Sequence, residues 1–469
     1  MRYDVLVLGS GIVGTSTALH LQERGQAVAL IDRRGPGEET SYGNSGLVEC
    51  SALLPIAFPR SFKALAGVVL KRYPGANYHW SALPGLAPWL FAYWRNSSPE
   101  RLNATARIMQ PLVSASLAEH QALARKAGAE GYFRPTGWLK VHHSEAACRA
   151  EEKEFALAAE FGYQARPLSR EEALALEPDL KPDFLAGSQW ADPHSVSSPG
   201  GVTKAYAAYF EKIGGKLLRG DALCVKRGGL GWTTETGQGP VEAREAVVAL
   251  GPWSMDVLAP LGYGFPLAVK RGYHMHYKAA GGAKLSRPVL DEEGGYVLTP
   301  MVGGMRLTTG AEFARRDAPR TPVQVDWTEK RARPLPARRP GRSRALDGRA
   351  SDLPGFPSHH RQGPAPQQPL ARLRPPASRL HFGPGDGTPS GRDDDGRGDL
   401  CRSEAVCGGA VRVVANLEEQ RRIRRPRFPP QPPQKDYQRP APRARNASAP
   451  RNASIRRRKD RRRQHCHGW

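Results

Sequence analysis

Short apolar runs and one helical stretch alternate at the start of the chain. Val5–Leu8 is a four-residue apolar run of the kind that forms a buried strand, and Val28–Ile31 is a second. Between them, apolar residues recur with helical spacing over 15–24, and Gly25 is placed to end that helix. The order strand, helix, strand predicts a βαβ unit with a parallel sheet.

Further along, the pattern predicts helices over residues 105–128 and 144–161 and strands at Trp138–Val141 and Val247–Leu250. More strand-like segments lie between Ala268 and Thr309. Residues 331–469 show no strong periodicity and are rich in Arg and Pro, which is typical of disorder.

Charge divides the chain at the same place. The net charge of +24 would favour a nucleic-acid partner. However, residues 1–330 carry only +4 of it, whereas the tail carries +20, with 30 Arg and 2 Lys. Aromatic residues in the tail are few and scattered. A nucleic-acid-binding arm is therefore the alternative from another functional class, and no specific nucleic-acid partner is expected.

The number of cysteines and the hydropathy of the chain bear on the cellular location of the protein. Six cysteines without a CxxC pair favour neither a disulfide framework nor a zinc site, so no metal is expected and a cytoplasmic location is predicted. The cluster His465-Cys466-His467 is interpreted as a solvated terminus. No apolar run approaches the roughly 20 residues of a transmembrane helix. Peripheral contact with the inner membrane stays open as an alternative.

A glycine-rich loop follows the first predicted strand. Gly9-Ser10-Gly11-Ile12-Val13-Gly14 has the spacing GxGxxG and opens the helix. The first glycine permits a tight turn, the second lets backbone approach a pyrophosphate, and the third lets helix and strand pack closely. Asp32 ends the second strand, where a carboxylate can accept ribose hydroxyls. The motif in this context predicts a dinucleotide site.

Two other segments are candidate cofactor contacts, although each is compatible with an ordinary loop. The segment 39–46 follows Asp32 and offers small polar groups to phosphates and a ring system; the strand at Val247–Leu250 runs into Gly251 and brings backbone close to the same place. The candidate residues in these regions are Arg33, Thr40, Ser41, Asn44, Gly46 and Gly251.

Together these segments resemble the FAD-dependent amino-acid oxidoreductases of the D-amino acid oxidase superfamily, and the D-amino acid dehydrogenase branch is the most similar. Further segments carry the resemblance over about residues 1–333. They are Ala191-Asp192-Pro193, Ser198-Pro199-Gly200, residues 246–254, Lys270–Tyr277 and Arg306–Phe313.

The resemblance implies an α/β fold with a Rossmann-like FAD-binding domain, a mixed-sheet α+β substrate domain and a disordered C-terminal tail. The expected bounds are 1–75 and 196–258 for the FAD-binding domain, 76–195 and 259–332 for the substrate domain, and 333–469 for the tail. Candidate substrate contacts are Tyr273, Arg271, His274 and Tyr296, with Thr308, Thr309 and Glu312 as weaker ones.

The resemblance also implies a reaction. FAD would accept the α-hydrogen of a D-amino acid as hydride, and the imine would hydrolyse to a 2-oxo acid and ammonia. A quinone or oxygen would then accept the electrons. Glycine, sarcosine or D-hydroxyproline are alternative substrates, and a pseudoenzyme that binds the dinucleotide without catalysis is a third possibility.

The tail lacks the family's last flavin segment, yet a one-base shift restores it. Read from the second base of each codon, LDGRASDLPGFPSHHR (346–361) is compatible with Trp-Met-Gly-Ala-Arg-Pro-Thr-Phe-Pro-Asp-Ser-Leu-Pro-Ile-Ile-Gly. In the same frame, LRPPASRLHFGPGDG (373–387) is compatible with Phe-Gly-His-Gln-His-Leu-Gly-Phe-Thr-Leu-Gly-Pro-Ala-Thr-Gly. Both resemble family motifs in the expected order. We therefore expect a frameshift near residues 332–340, with impaired activity.

Overall fold

The structure is a computed structural model that describes residues 1–52, 54–229, 231–278, 283–331 and, as backbone, 411–414. The chain divides into two compact units, Met1–Ala415 and Asn416–Trp469, and all described residues belong to the first. The predicted frameshift region, the two back-translated segments and the cluster His465-Cys466-His467 lie outside the described residues.

The first sheet has the order β10-β2-β1-β13-β12-β11, and β20 also pairs with β13. The strands β10, β2, β1 and β13 are parallel, whereas β12, β11 and β20 run antiparallel to their neighbours. The strands are β1 (Arg2–Leu8), β2 (Val28–Asp32), β10 (Lys216–Arg219), β11 (Lys226–Gly228), β12 (Gly231–Thr234), β13 (Val241–Val248) and β20 (Val411–Val414).

Both faces of this sheet are covered, which explains the continuous apolar runs in its central strands. On one face Val5 and Val7 pack with Leu19 and Phe210. On the other face, Leu6 packs with Ile31 and Trp232. The helices on and beside the first face are α1 (Ile12–Glu23), α4 (Pro99–Ala127) and α7 (Pro199–Lys212).

The second sheet has the order β15-β18-β17-β16-β6-β8-β7 and is antiparallel except for the β16–β6 pair. Its strands are β6 (Trp138–His142), β7 (Ala165–Leu168), β8 (Ala186–Trp190), β15 (His274–Tyr277), β16 (Val289–Asp291), β17 (Tyr296–Met301) and β18 (Gly304–Thr309).

Two three-stranded sheets complete the described strands. One is β14 (Lys270–Arg271), β19 (Ala311–Phe313) and β4 (Ala76–Tyr78), and the other is β3 (Leu47–Val48), β9 (His194–Val196) and β5 (Phe133–Arg134). The remaining helices are α2 (Phe62–Val69), α3 (Leu83–Asn96), α5 (Glu145–Glu160), α6 (Arg170–Leu176), α8 (Ser254–Leu258) and α9 (Val323–Arg331).

The mixed α/β fold expected from the sequence is confirmed, and the predicted βαβ opening is β1-α1-β2. The predicted strand Val247–Leu250 is placed too far along the chain, because β13 ends at Val248 and the next residues turn toward Gly251. Within the predicted tail, Val411–Val414 form a strand rather than irregular chain. In the described part of the chain, no helix is both long and apolar enough to span a bilayer.

Candidate functional site

The glycine-rich loop turns tightly between β1 and α1. Gly9 has a φ of +101°, and a Cβ added there would lie 2.5 Å from the Ala249 carbonyl oxygen. A Cβ at Gly14 would lie 1.9 Å from the Gly9 carbonyl oxygen, so only glycine lets α1 approach the loop this closely. Helix α1 has no acidic residue in its first turn and no capping side chain on Gly11. Its N-terminus is therefore suited to an anion.

The segment 39–46 lies against the beginning of α1. The Ser41 hydroxyl accepts a hydrogen bond from the Ile12 N–H at 2.9 Å. Gly46 has a φ of +75°, and the Asn44 side-chain oxygen accepts from its N–H at 2.9 Å. The hydroxyl of Thr40 is buried without a partner among the described residues. The side chains of Ser41 and Asn44 thus hold the segment to α1 and to its own backbone, while Thr40 retains an unused polar atom.

Asp32 organises the same loop from the end of β2. Its Oδ2 accepts from the Ser10 N–H at 2.6 Å and from the Ser10 hydroxyl at 2.9 Å, and its Oδ1 accepts from the Arg34 N–H at 2.9 Å. Neighbouring Arg33 pairs with Glu39 and places its guanidinium 4.5 Å from the Trp253 ring centroid. The carboxylate of Asp32 therefore fixes the glycine loop and also lies at the wall of a cavity.

That cavity has a volume of about 1940 Å³, beyond the roughly 1000 Å³ at the upper end of ordinary ligand pockets. It brings the candidate cofactor residues together with candidate substrate residues from the second sheet. Ser10 and Gly14 are not at the wall but directly behind it. Ser10 anchors Asp32, and Gly14 packs against Gly9. The cofactor candidates at the wall are Gly9, Gly11, Ile12, Val13, Asp32, Arg33, Thr40, Ser41, Asn44, Gly46 and Gly251.

At the other end of the cavity, His274 and Tyr296 present polar atoms that are buried and unpaired among the described residues. Burial, aided by the charges of Arg306 and His276, lowers the pKa of His274 to about 3, so its imidazole is neutral at pH 7. Burial and the Asp291 carboxylate raise the pKa of Tyr296, so its phenol stays protonated. Since buried polar atoms are normally hydrogen-bonded, the unpaired Nε2 of His274 points to a polar ligand, whereas the Tyr296 hydroxyl also lies near the Asp291 carboxylate.

Glu49 is a cavity residue that sequence reasoning missed. It follows β3, and its Oε2 is buried without a hydrogen-bond partner in the described part of the chain. Burial raises the pKa of Glu49 to about 7. Nothing in the local sequence marks this position, because Trp138, which contacts the carboxyl, comes from the distant strand β6.

Arg306 links the two ends of the site. The sequence analysis named it only as the first residue of the segment Arg306–Phe313. From β18, its guanidinium donates to the carbonyls of Tyr42 and Asn44, each at 2.7 Å, and to His276 Nε2 at 3.2 Å. Its charge lies 5.3 Å from the Tyr42 ring centroid. Arg306 therefore ties the second sheet to the segment 39–46.

Arg271 and Tyr273 lie at the cavity wall, but their polar ends belong to a buried network. The Arg271 Nε donates to Glu312 at 2.9 Å, and its terminal nitrogens donate to Glu312 and to the carbonyls of Ala318 and Pro319. The Tyr273 hydroxyl donates to Glu312 at 2.7 Å. This arrangement favours a positioning role for Arg271 rather than direct contact with a substrate carboxylate.

Replacing Glu312 by Gln is expected to destabilise the fold by about 3 kcal/mol, because Arg271 would lose its buried countercharge. Burial alone would raise the pKa of Glu312, but hydrogen bonds from Thr321 and Tyr273 and the Arg271 charge lower it below its ordinary 4.5. This contribution is therefore present above about pH 4.5 and is lost as the pH falls through the lowered value. Denaturant unfolding at several pH values measures both effects.

The matched control for Glu312→Gln is Glu160→Gln, which removes the charge from an exposed pair with Arg107. It should leave the free energy of unfolding unchanged within error, since exposed pairs contribute little. Equal losses in the two variants would contradict the assignment of Glu312 as the centre of a buried network.

Comparison with known proteins agrees with this geometry. The chain is 30% identical over 277 residues to a D-amino-acid oxidase of Bradyrhizobium diazoefficiens, covering 58% of this chain and 65% of that protein. It is 28% identical over 348 residues to a D-amino acid dehydrogenase of the same organism, covering 69% of this chain and 80% of that protein. The matched region thus spans slightly less than two thirds of the first relative.

Among solved structures, glycine oxidase from Geobacillus kaustophilus shares the fold with a TM-score of 0.51 at 19% identity, over 71% of this chain and 78% of that one. The profile of the family described as FAD dependent oxidoreductase (DAO) matches residues 4–344, well over half of the chain. The glycine loop, the shared cavity and this match together show that the chain belongs to the DAO family of FAD-dependent oxidoreductases.

Proposed function

We propose that this chain, with its reading frame restored, oxidises D-amino acids with FAD to 2-oxo acids and ammonia. The observation that carries the proposal is the single cavity walled both by the glycine loop of the first sheet and by strands of the second. The names of the relatives, D-amino-acid oxidase and D-amino acid dehydrogenase, support the substrate class.

The residues at the first end of the cavity fit FAD. The N-terminus of α1 carries no acid and suits a pyrophosphate. The carboxylate of Asp32 retains acceptor capacity at the wall, and the buried hydroxyl of Thr40 lacks a partner among the described residues. Bound FAD supplies the acceptor for the hydride of the substrate.

The protein's own part in the reaction is to orient the amino acid and manage its protons. Protonated Tyr296 donates a hydrogen bond, which suits a substrate carboxylate, and neutral His274 offers a second polar contact without adding charge. The substrate ammonium must lose a proton before the hydride leaves. Glu49, with a pKa of about 7 and an unpaired oxygen at the wall, is suited to accept that proton.

Replacing Arg306 by Lys should weaken FAD binding about tenfold, because a single ammonium cannot reproduce the forked contacts to Tyr42, Asn44 and His276. Flavin fluorescence titration of the apoprotein measures the dissociation constant. Arg227→Lys is the control, since Arg227 lies on β11 beside Trp232 and away from the cavity wall. Unchanged affinity in Arg306→Lys would show that the link does not shape the FAD site.

The proposed frameshift and domain bounds belong to the same proposal. The family match ends at residue 344, close to the region where we place the shift. The strands of the first sheet other than β20 fall within 1–75 and 196–258, and those of the second within 76–195 and 259–332. Both facts support the proposed organisation. In it, the chain after about residue 340 is read in the wrong frame and replaces the native last flavin segment.

Substrate profiling of the frame-restored protein tests the proposed function. D-amino acids should be oxidised, with a quinone or oxygen as the electron acceptor. L-amino acids should not be oxidised. Faster turnover of glycine, sarcosine or D-hydroxyproline would favour those alternatives instead. Tight FAD binding without turnover of any amine would identify a pseudoenzyme and overturn the proposal.

A further inference from the structure

One part of the cavity wall is charged, and the proposed reaction does not use it. Lys140 of β6, Glu154 of α5 and Glu292, which follows β16, lie at this part of the wall, and we call these three residues the charged corner. Lys140 Nζ lies 2.8 Å from Glu292 Oε2 and 3.9 Å from Glu154 Oε2, and it also donates to Glu151. Three carboxylates thus surround one ammonium.

Glu151 holds that ammonium from the side away from the cavity. Its Oε1 accepts from the Ser188 hydroxyl at 3.1 Å and from Trp190 Nε1 at 2.9 Å, while its other oxygen accepts from Lys140. The Glu151 carboxylate is therefore engaged in placing Lys140. The carboxylates of Glu154 and Glu292 are the ones at the cavity wall.

The charges at the corner are unbalanced. Burial raises the pKa of Glu154 to about 7, and the charges of Glu151 and Glu292 raise it further against the attraction of Lys140. A second cation beside Glu154 would offset the repulsion among the carboxylates, whereas an anion would add to it. The corner therefore suits a positively charged group of a ligand.

A buried hydroxyl at the cavity wall points to a ligand independently of charge. Ser51 is 4% exposed, and its Oγ is buried without a partner among the described residues. Ser51 comes two residues after Glu49, which contacts Trp138 of β6. Since buried hydroxyls are normally hydrogen-bonded, Ser51 indicates that a ligand with a polar group occupies this side of the cavity.

We propose that the charged corner binds the cationic end of the substrate side chain, so that the protein prefers D-amino acids such as D-arginine or D-lysine to uncharged ones. The preference for these substrates rests on the proposed function, whereas binding of a cation at the corner does not. A guanidinium or ammonium placed there can donate to the carboxylates of Glu154 and Glu292.

The path along the sheet to the corner is apolar and of suitable length. Trp138, which contacts the proposed proton acceptor Glu49, and Lys140 lie on the same face of β6, roughly 7 Å apart. This distance is about the reach of the four-carbon stem of lysine. Leu290, the register partner of Lys140, packs against the apolar cluster of Trp138 and lines the cavity. The stem would thus lie on apolar side chains while its charged end reaches the corner.

Binding of propylguanidinium and of uncharged propylurea to the full chain tests the corner without any oxidation. The two probes have nearly the same shape, so a difference in affinity measures the effect of the charge. Isothermal titration calorimetry is carried out at a pH above the pKa of Glu154, so that its carboxyl is ionised. Propylguanidinium should bind about tenfold more tightly than propylurea. The double variant Glu154→Gln with Glu292→Gln should abolish this difference.

Two further variants accompany the double variant. Glu292→Gln alone changes a side chain that is 61% exposed, so it should fold like the parent, and it should lower the preference about threefold. Glu145→Gln is the control, since Glu145 lies on the same helix, is 77% exposed and is outside the cavity wall. It should keep the full preference. Equal or undetectable binding of the two probes to the parent would overturn the proposal, and so would a preference that persists in the double variant.

The substrate preference is measured in the frame-restored protein as the ratio of kcat/KM for D-lysine to that for D-norleucine. These amino acids share most of the side-chain stem and differ in the terminal ammonium. The ratio should be about ten or more and should fall to about one in the double variant. Because it compares two substrates of one protein, it does not depend on the fraction that holds FAD.

The two measurements separate this proposal from the proposed function. Oxidation of D-lysine and D-norleucine with equal kcat/KM would overturn the preference for cationic side chains and leave the proposed function standing. Selective binding of propylguanidinium without oxidation of any D-amino acid would overturn the proposed function and support the cation site.

Discussion

The chain as it stands is expected to purify with little or no FAD, whereas a version with the reading frame shifted by one base near codons 332–340 should purify yellow. We expect the dissociation constants for FAD to differ by about 100-fold, which corresponds to about 3 kcal/mol. The physical reason lies at the side of β13 that faces away from β1, next to the glycine loop.

Strand β13 is paired unequally on its two sides. On one side it pairs with β1 along nearly its whole length, through residues 242–248. On the other, β12 covers only Val241–Ala243, and the half that leads toward Gly251 pairs with β20 from the tail. In the restored frame we expect the last flavin segment to complete the sheet here and close over the isoalloxazine ring. Without it, that part of the core is left to β20, which lies in the segment that we propose is read out of frame.

Flavin absorbance after gel filtration, together with resequencing of codons 325–345, decides this prediction. The expected results are an altered frame in the gene and flavin only in the restored protein. Yellow, active protein from the chain as given, with an intact frame that produces the same tail in relatives, would contradict the frameshift.

Replacing Gly14 by Ala should weaken FAD binding by about 10- to 100-fold in either version of the protein. The added Cβ would lie 1.9 Å from the Gly9 carbonyl oxygen and 3.2 Å from the Ala249 side chain. A backbone carbonyl cannot move aside as a flexible side chain can, so α1 must shift away from β1. That shift would displace the helix N-terminus, which we expect to face the pyrophosphate.

The control for Gly14→Ala is Gly131→Ala, where an added Cβ meets nothing within 4 Å and φ is not positive. FAD titration and thermal unfolding of both variants separate the effects. The expected result is a selective loss of FAD affinity in Gly14→Ala. Equal affinities would show that the close packing of α1 on the loop is not required for the cofactor.

The first part of the fold could be predicted because its signals are local. The apolar runs at Val5–Leu8 and Val28–Ile31, the glycine loop between them and Asp32 all lie within 28 residues. In a βαβ unit, neighbours in sequence are also neighbours in space. The cofactor candidates of this region therefore lie at the cavity wall in the structure. Ser10 and Gly14 are the exceptions, and they pack directly behind it.

The other end of the site depends on contacts between distant residues, which single-sequence patterns do not reveal. The sequence predicts Arg271 as a substrate contact, but in the structure Glu312, 41 residues later, holds its guanidinium. Arg306 contacts the carbonyl of Tyr42, 264 residues earlier, and no local signal distinguishes it from any strand arginine.

The most direct measurement of the central claim is the visible absorbance of protein-bound FAD under anaerobic conditions, after mixing the frame-restored protein with a D-amino acid or its L-enantiomer. The account predicts that the D-amino acid bleaches the flavin and yields a 2-oxo acid and ammonia, while the L-enantiomer leaves the spectrum unchanged. Bleaching by the L-enantiomer alone, or by neither enantiomer in protein that holds FAD tightly, would contradict it.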